Sequence, residues 1–282
     1  MCKFLSVNRS SIYYKQRPRK VDTEAENAVI MEFKHNWGVY GTIKLKKALA
    51  RRNKPIILSR RKIGKIMNKY GLVSKYVKRR KRQRSKDVNE DAHQNIIDRN
   101  FDVTSHEPLS AIVSDLTYVK VGSIWHYVCL LLDLSGREII GSACGRKKDG
   151  ELVKRAFYNV IGDLRQIEIF HTDRGSEFKN TVVDGIIKAF GMTRSLSNKG
   201  TPLDNAVSES MYNILKTELV YGEIFNSLDE LELRLFEYVN WYNNERLHSS
   251  LGYLSPREYK GIVAAQNLIS GQPTASLQSN FD

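Results

Sequence analysis

Two kinds of hydrophobic pattern divide this sequence near residue 104. Between Glu24 and Leu72, apolar residues recur at helical spacing in three successive segments. Ser59 stands before the third segment as a favourable N-cap, and Gly71 follows it as a favourable C-terminal stop. The pattern predicts a compact three-helix unit.

From Leu109 onward the pattern is that of β-strands. AIVSDLTYVKV, SIWHYVCLLLDL and REIIGSACG are joined at Gly122-Ser123 and Ser135-Gly136, which predicts an antiparallel meander. Helical and extended segments alternate after it, giving the order βββαβαβα. This order predicts an α/β fold with a mixed five-stranded sheet and helices, and it is the element order of a ribonuclease H-like fold.

The formal net charge of +14 is concentrated in the first part of the chain. Residues 1–100 carry 27 Lys+Arg against 8 Asp+Glu, whereas residues 101–282 carry 18 against 23. The front therefore has the charge of a region that binds a polyanion, with a solvated charged face as the alternative. Between Lys75 and Lys86 the basic residues are dense enough to neutralise phosphates, which predicts an arm between domains.

Composition narrows the class of protein further. An apolar content of 41% supports at least one buried core, and no apolar run is long enough to cross a membrane, so we expect a cytoplasmic protein. Three cysteines are too few and too scattered for a disulfide framework. The predicted regions are an N-terminal helical segment and connector at 1–23, a helix-turn-helix-like DNA-binding module at 24–74, a basic linker arm at 75–103, a ribonuclease H-like domain with C-terminal helices at 104–262, and a disordered tail at 263–282.

Three carboxylates are candidates for one metal site. Asp115 lies inside an apolar strand, where a carboxylate is costly unless it is paired or bound to metal. Asp173 follows another apolar strand, and Glu209 lies in a predicted helix. In an α/β sheet these positions can converge, and carboxylate oxygens suit Mg²⁺. A single Asp at the end of a strand is more often a cap or a turn residue, so each acid taken alone is weak evidence.

Four motifs together give a specific resemblance. SDLTYV, HTDRGSEF, KGTPLDNAVSES and YVNWYNNERLHSSLGYLSP, with Lys216 seven residues after Glu209, resemble the catalytic subunit of a bacterial insertion-sequence transposase (OrfB-type) with a retroviral-integrase-like core. The resemblance covers the chain from Cys2 to about Tyr259. It implies a DDE polynucleotidyl transferase for DNA transposition and integration, in which Asp115, Asp173 and Glu209 hold two Mg²⁺, or Mn²⁺, ions.

The implied partners are double-stranded DNA at the transposon ends and the target, further copies of the chain on that DNA, and a partner or fusion encoded by an upstream frame. Lys216 is the DNA contact that the resemblance itself implies. Other expected DNA-binding residues are basic or lie in segments that could meet DNA: Arg60, Arg61, Lys62, Lys65, Lys78, Arg79, Arg80, Lys81, Arg82, Arg174, Lys199, Arg246 and His248. For Arg246 and His248, packing against the core is an equally good interpretation.

Two positions depart from the family pattern. Ile112 stands where many members have Trp, and Glu177 stands where many have Gln. Glu177 could assist as a base, compete as a ligand or serve as a first-turn acid of the next helix, and we favour the helix role. We expect His171, two residues before Asp173, to be a buried histidine with satisfied hydrogen bonds rather than a donor to the site.

Two other functions fit the same residues. A nuclease of the ribonuclease H-like fold would use the same carboxylates but stop at hydrolysis. A non-catalytic DNA-binding regulator would need only the basic front of the chain.

Overall fold

The computed structural model describes Phe4, Asn8 and residues 22–77, 95–98, 100–103, 105–198 and 205–270. Most of the predicted N-terminal segment lies outside these residues, as do residues 271–282 of the predicted tail. Six of the expected DNA contacts also lie outside them: Lys78, Arg79, Arg80, Lys81, Arg82 and Lys199.

Three helices form the predicted N-terminal module: α1 (Thr23–His35), α2 (Thr42–Ala50) and α3 (Arg60–Lys69). The Asp22 carboxylate caps α1 by accepting from the Ala25 amide, and the Ser59 hydroxyl caps α3 by accepting from Lys62. Buried side chains from all three helices, including Val29, Leu45 and Ile63, pack into one core. The helical spacing of the sequence thus predicted this module.

Five strands form one sheet: β1 (Ala111–Val121), β2 (Ile124–Asp133), β3 (Ile139–Gly145), β4 (Ile169–Thr172) and β5 (Thr193–Leu196). Their spatial order is β3-β2-β1-β4-β5. The pairs β1–β2 and β2–β3 are antiparallel, whereas β1–β4 and β4–β5 are parallel. This mixed sheet is that of a ribonuclease H-like core and confirms the predicted fold class.

Helices cover both faces of the sheet. On one face lie α4 (Gly150–Tyr158) and α5 (Thr181–Phe190), whose buried residues pack on Ile112, Cys129 and Leu131. On the other lie α6 (Ala206–Leu215) and α7 (Leu228–Asn244), which pack on Val113 and Leu130. A π-helical turn, Lys216–Val220, continues α6. The helix α6 packs against β1, the central strand of the sheet.

The C-terminal helix α8 (Pro256–Ser270) extends beyond the predicted domain boundary. Residues 263–270 were expected to belong to a disordered tail, and the structure shows them as helix. Val263 is buried, which ties this part of α8 to the rest of the chain. Within the described residues, no helix is both long and apolar enough to span a membrane.

Candidate active site

Asp115 lies within β1, the central strand of the sheet. Its Oδ1 accepts a hydrogen bond of 2.7 Å from the Leu116 amide. Burial, followed by repulsion from Asp173, raises the pKa of Asp115 to about 7. A carboxyl group held in this way has a strong tendency to take up a proton or a cation.

Asp173 follows β4 directly, and β4 pairs in parallel with β1. Val113 is the register partner of His171, so Asp115 and Asp173 each lie two residues beyond this pair on neighbouring strands. Asp173 Oδ1 accepts a 2.9 Å hydrogen bond from the Gly175 amide. Burial raises the pKa of Asp173, and the Glu177 carboxylate raises it further. The parallel pairing therefore brings these two predicted acids together.

Glu177 is the third acid in this cluster, and the helix role favoured from its sequence position is wrong. It lies in a turn before α5, which begins at Thr181 and is capped by Asn180. Its side chain is buried, and the charge of Glu177 raises the pKa of both Asp115 and Asp173. Glu177 therefore belongs to the acidic cluster and not to the first turn of a helix.

Lys148 provides the positive charge beside this cluster. Its Nζ lies 2.8 Å from Glu177 Oε1, while Glu177 Oε2 has no hydrogen-bond partner among the described residues. Burial lowers the pKa of Lys148, but the acids Glu177, Asp173 and Asp115 more than offset it, so the pKa is raised overall. Sequence reasoning missed Lys148, because its only signal is that it follows two other basic residues just before the cap of α4.

Gly175 allows Glu177 to enter the cluster. A Cβ at position 175 would stand 2.4 Å from Glu177 Oε1 and 2.5 Å from its Cδ. No side chain at this position could keep the carboxylate where it lies without a shift. The short DRGSE segment therefore fixes two acids, Asp173 and Glu177.

Glu209 lies on the exposed surface of α6, one turn before Tyr212. The Tyr212 hydroxyl donates to the Asp115 carbonyl oxygen and accepts from the Leu130 amide at 2.8 Å. This contact fixes α6 against β1 at the level of Asp115. Within the part of the chain that the structure describes, no three His, Cys, Asp or Glu side chains are arranged to hold one metal ion.

Lys216 ends α6 two turns after Glu209 and lies near the same strand. Its Nζ stands 4.4 Å from the centroid of the Tyr118 ring. Burial lowers the pKa of Lys216, and the Asp115 carboxylate opposes that effect. The predicted DNA contact is therefore close to the acidic cluster.

Arg246 and His248 are interior residues, so the expectation that they contact DNA is corrected. Arg246 donates to both carboxylate oxygens of Glu218, with Nη2 at 2.7 Å from Oε1. His248 lies against the Tyr242 ring and contacts the Arg246 guanidinium. Both side chains are buried, and the packing interpretation is the one that the structure supports.

The other expected DNA contacts that the structure describes lie on its surface or at its edge. Arg60, Arg61, Lys62 and Lys65 are exposed on α3. Lys62 donates to Asp22 at 2.6 Å, so part of its charge is already paired. Arg174 is half-buried and donates to the Ser197 carbonyl oxygen at 2.9 Å.

His171 has the buried role predicted for it. Its ring nitrogens lie 2.8 Å and 3.1 Å from the hydroxyls of Ser195 and Ser197. These contacts tie β4 to β5 and direct the ring away from a role as a ligand.

Family descriptions match most of the chain. An integrase core domain matches residues 105–202, a second description of an integrase core domain matches 209–262, and an HTH-like domain matches 20–81. The HTH-like match includes the three N-terminal helices, and the two integrase matches include the sheet and the helices that pack on it.

Three curated relatives are similar over most of their length. An uncharacterized transposase-like protein of Haemophilus influenzae is 30% identical, over 73% of this chain and 94% of the relative. The transposase for insertion sequence element IS904 of Lactococcus lactis is 29% identical, over 87% of this chain and 95% of the relative. The putative transposase InsK for IS150 of Escherichia coli is 29% identical, over 90% of each.

Solved structures with a similar fold include two viral integrase cores. The HTLV-2 integrase catalytic core domain in complex with magnesium has a TM-score of 0.42 at 14% identity, covering 54% of this chain and 96% of that one. The BIV integrase catalytic core has a TM-score of 0.41 at 16% identity, covering 58% and 99%.

Proposed function

This chain belongs to the insertion-sequence transposases with an integrase core domain, and from that membership we propose that it cuts DNA at insertion-sequence ends and joins them to target DNA. The observation that carries the proposal is the pair of half-buried carboxylates with raised pKa values, Asp115 on β1 and Asp173 at the end of the adjacent parallel strand β4. The helix that carries Glu209 and Lys216 is fastened to the same strand through Tyr212. These are the residues that a DDE polynucleotidyl transferase would need.

The residues of this site fit a hard divalent ion. The candidate ligands are all carboxylate oxygens, the type that Mg²⁺ and Mn²⁺ bind, and the crowding of Asp115, Asp173 and Glu177 leaves negative charge that a cation would neutralise. We propose that Asp115 and Asp173 hold the ions and that Glu209 completes the set. A pair of such ions supplies activation of the attacking oxygen and stabilisation of the leaving oxygen.

The chemistry that we propose has two steps at the same carboxylates. In the first, water attacks a phosphodiester at the element end, the bond to the 3′ oxygen breaks, and a 3′-hydroxyl is released. In the second, that 3′-hydroxyl attacks a target phosphodiester, so one phosphorus–oxygen bond forms as another breaks. Lys216 would hold a phosphate of the end DNA beside Asp115.

The basic face of α3 provides a second DNA contact in this proposal. Arg60, Arg61 and Lys65 are exposed there and can pair with backbone phosphates, and Arg174 would contact DNA nearer the acids. We further propose that several copies of the chain act together on DNA, with a partner or fusion from an upstream frame. The reaction would take place in the cytoplasm, where the bacterial DNA is.

Neutral substitutions of the three acids test the metal site. Asp115→Asn, Asp173→Asn and Glu209→Gln should each lower cleavage of labelled end DNA by about a hundredfold or more, because each removes a ligand charge. Asp229→Asn, at an exposed acid on α7, is the matched control and should retain cleavage. DNA binding in a gel-shift assay should change little in all four variants. Full cleavage by any of the first three would contradict the assignment of that residue.

A strand-transfer assay separates this proposal from a nuclease. A pre-cleaved end with a free 3′-hydroxyl is mixed with plasmid and Mg²⁺. We expect joined products that disappear with Asp173→Asn. If the chain hydrolyses DNA but never yields a joined product, it acts as a nuclease.

A further inference from the structure

Two aromatic side chains stand exposed on the β1–β2 hairpin beside the candidate active site. Tyr118 is 56% exposed and Trp125 is 53% exposed, and their rings meet edge to face with centroids 5.1 Å apart. Aromatic rings bury a large apolar area when they are covered, so an exposed pair is typical of a surface that binds something.

The strand register places positive charge on the same face as these rings. Lys120 pairs with Trp125, and Tyr118 pairs with Tyr127, so the four side chains share one face of the hairpin. Lys120 is exposed. From the end of α6, Lys216 places its Nζ 4.4 Å from the centre of the Tyr118 ring. The surface thus combines flat π-faces with two ammonium groups.

This combination fits single-stranded nucleic acid. Bases stack on aromatic rings whatever their sequence, and lysines pair with the phosphates that join them. A second copy of the chain would have to bring two lysines into an interface against the same charges, which is unfavourable without acids to meet them. Charge therefore favours a nucleic acid as the occupant.

The position of the surface indicates which nucleotides it would bind. Tyr118 is three residues from Asp115 on β1, which is about 10 Å along the strand and, because successive side chains alternate, on the opposite face of it. At about 3.4 Å between stacked nucleotides, this corresponds to roughly three nucleotides. Lys216 connects the two faces, since its Nζ contacts the Tyr118 ring and the charge of the Asp115 carboxylate opposes the lowering of its pKa by burial.

We propose that Tyr118 and Trp125 form a stacking platform for unpaired bases within about three nucleotides of the phosphodiester at Asp115, with Lys216 and Lys120 on the backbone phosphates. The inference rests on the proposed function, because it places DNA at the acidic cluster. It adds that the strand must be locally unpaired beside the cleavage point. The platform then holds the freed bases and keeps the phosphodiester accessible.

Binding without catalysis tests the platform. The full chain is titrated in EDTA with a fluorescein-labelled oligo-dT and with a blunt duplex. Trp125→Ala and Tyr118→Ala should each weaken oligo-dT binding about tenfold, because each removes a stacking surface. Trp125→Phe should retain most of the affinity. The matched control is Ile124→Ala, next in sequence, 61% exposed and on the opposite face, which should bind like the unchanged chain.

Tryptophan fluorescence provides a readout that a loosened hairpin would not mimic. Oligo-dT should quench the emission of the unchanged chain but not that of Trp125→Phe, although Trp37 and Trp241 remain. Equal affinities of Trp125→Ala and Ile124→Ala for oligo-dT would overturn the platform. So would a dimer, seen by sedimentation, that Trp125→Ala disrupts while oligo-dT binding is unchanged.

The test of the platform and the test of the proposed function can fail independently of each other. A chain that binds oligo-dT through Trp125 but never cleaves end DNA supports the platform and contradicts the transposase chemistry. A chain that cleaves and joins ends while Trp125→Ala binds normally supports the chemistry and overturns the platform.

Discussion

At the scale of single residues, burial decides what each charged side chain does. Lys148 and Arg246 both pair with a glutamate, yet Lys148 keeps 46% of its side chain exposed whereas Arg246 keeps 5%. Sequence reasoning found Asp115 and Asp173 because their apolar neighbours predict buried strands. It missed Lys148 because nothing in its own segment indicates Glu177, the partner that makes it part of the site.

The pair of Lys148 and Glu177 allows a test of that contact. Lys148→Met should lower the free energy of unfolding of the metal-free chain by about 1–3 kcal/mol, because it leaves the buried Glu177 carboxylate without a counter-charge. The measurement is urea denaturation at neutral pH. The double variant Lys148→Met with Glu177→Gln should recover most of the loss.

A matched control comes from an exposed pair on α4. Lys154 lies 3.3 Å from Glu151, and both side chains face solvent. Lys154→Met should therefore change the stability by less than about 0.5 kcal/mol. Equal losses from Lys148→Met and Lys154→Met would show that the Glu177 pair is no more than a surface contact.

His248 gives the chain a predictable sensitivity to acid. Burial, then the charges of Arg246, Lys44 and Arg137, lowers the pKa of His248 to about 2 in the folded state. In the unfolded chain this histidine takes up a proton near its ordinary pKa of 6.5, whereas in the folded chain it does not. The contribution of His248 to the free energy of unfolding is therefore complete above about pH 6.5. It is lost as the pH falls below this value, at up to about 1.4 kcal/mol per pH unit.

Replacement of His248 tests the direction of this pH dependence. His248→Phe keeps a ring against Tyr242 but cannot titrate. Between about pH 6.5 and about pH 5, the unfolding free energy of the variant should fall less steeply than that of the unchanged chain. Urea denaturation at several pH values gives both slopes. Equal slopes would mean that His248 is protonated in the folded state as well.

At the scale of elements, the hydrophobic pattern predicted most of the fold. The run AIVSDLTYVKV is β1 itself, and the three helical segments of the front became α1, α2 and α3. Local periodicity suffices here because each element buries one face. The end of α8 was missed because the chain from Gln266 onward is rich in Ser, Gln and Asn, and the burial of Val263 is not visible in that local composition.

Close contact between β3 and α4 depends on Gly141. A Cβ there would lie 2.4 Å from the Ala156 carbonyl oxygen and 2.9 Å from Val160. Gly141→Ala should therefore lower the unfolding free energy by about 1–3 kcal/mol, because the strand and the helix must separate.

A glycine in open space provides the control for this substitution. Gly185 lies inside α5, and among the described residues no atom outside its chain neighbours and the local helix backbone stands within 4 Å of its ideal Cβ. Gly185→Ala should raise the unfolding free energy by about 0.5–1 kcal/mol, since alanine favours the helix. Thermal denaturation of both variants should show shifts of opposite sign. A stable Gly141→Ala would contradict the close approach of β3 and α4.

At the scale of the whole molecule, one buried carboxylate links the N-terminal module to the integrase core domain. Glu218, in the π-helical turn after α6, accepts from Tyr76 at 2.6 Å and from Tyr238 at 2.9 Å, in addition to Arg246. Tyr76 follows the module, Tyr238 lies on α7, and Trp37 of the module packs on α7 at Tyr238. Such long-range partners could not be read from sequence, because each lies in a segment with its own local pattern.

This network should make the module and the core unfold together. Arg246→Met leaves the Glu218 carboxylate buried without a counter-charge, so the unfolding free energy should fall by about 3–5 kcal/mol in a single transition. Tryptophan fluorescence and far-ultraviolet circular dichroism should report the same urea midpoint.

The double variant Arg246→Met with Glu218→Met should recover most of the loss, since both charges are then absent. Arg165→Met, at an exposed pair with Asp163, should cost less than about 1 kcal/mol. Two separate transitions would show that the module and the core unfold independently of each other. One shared transition would mean that a change at Glu218 affects both the basic helix α3 and the helix α6 that carries Glu209.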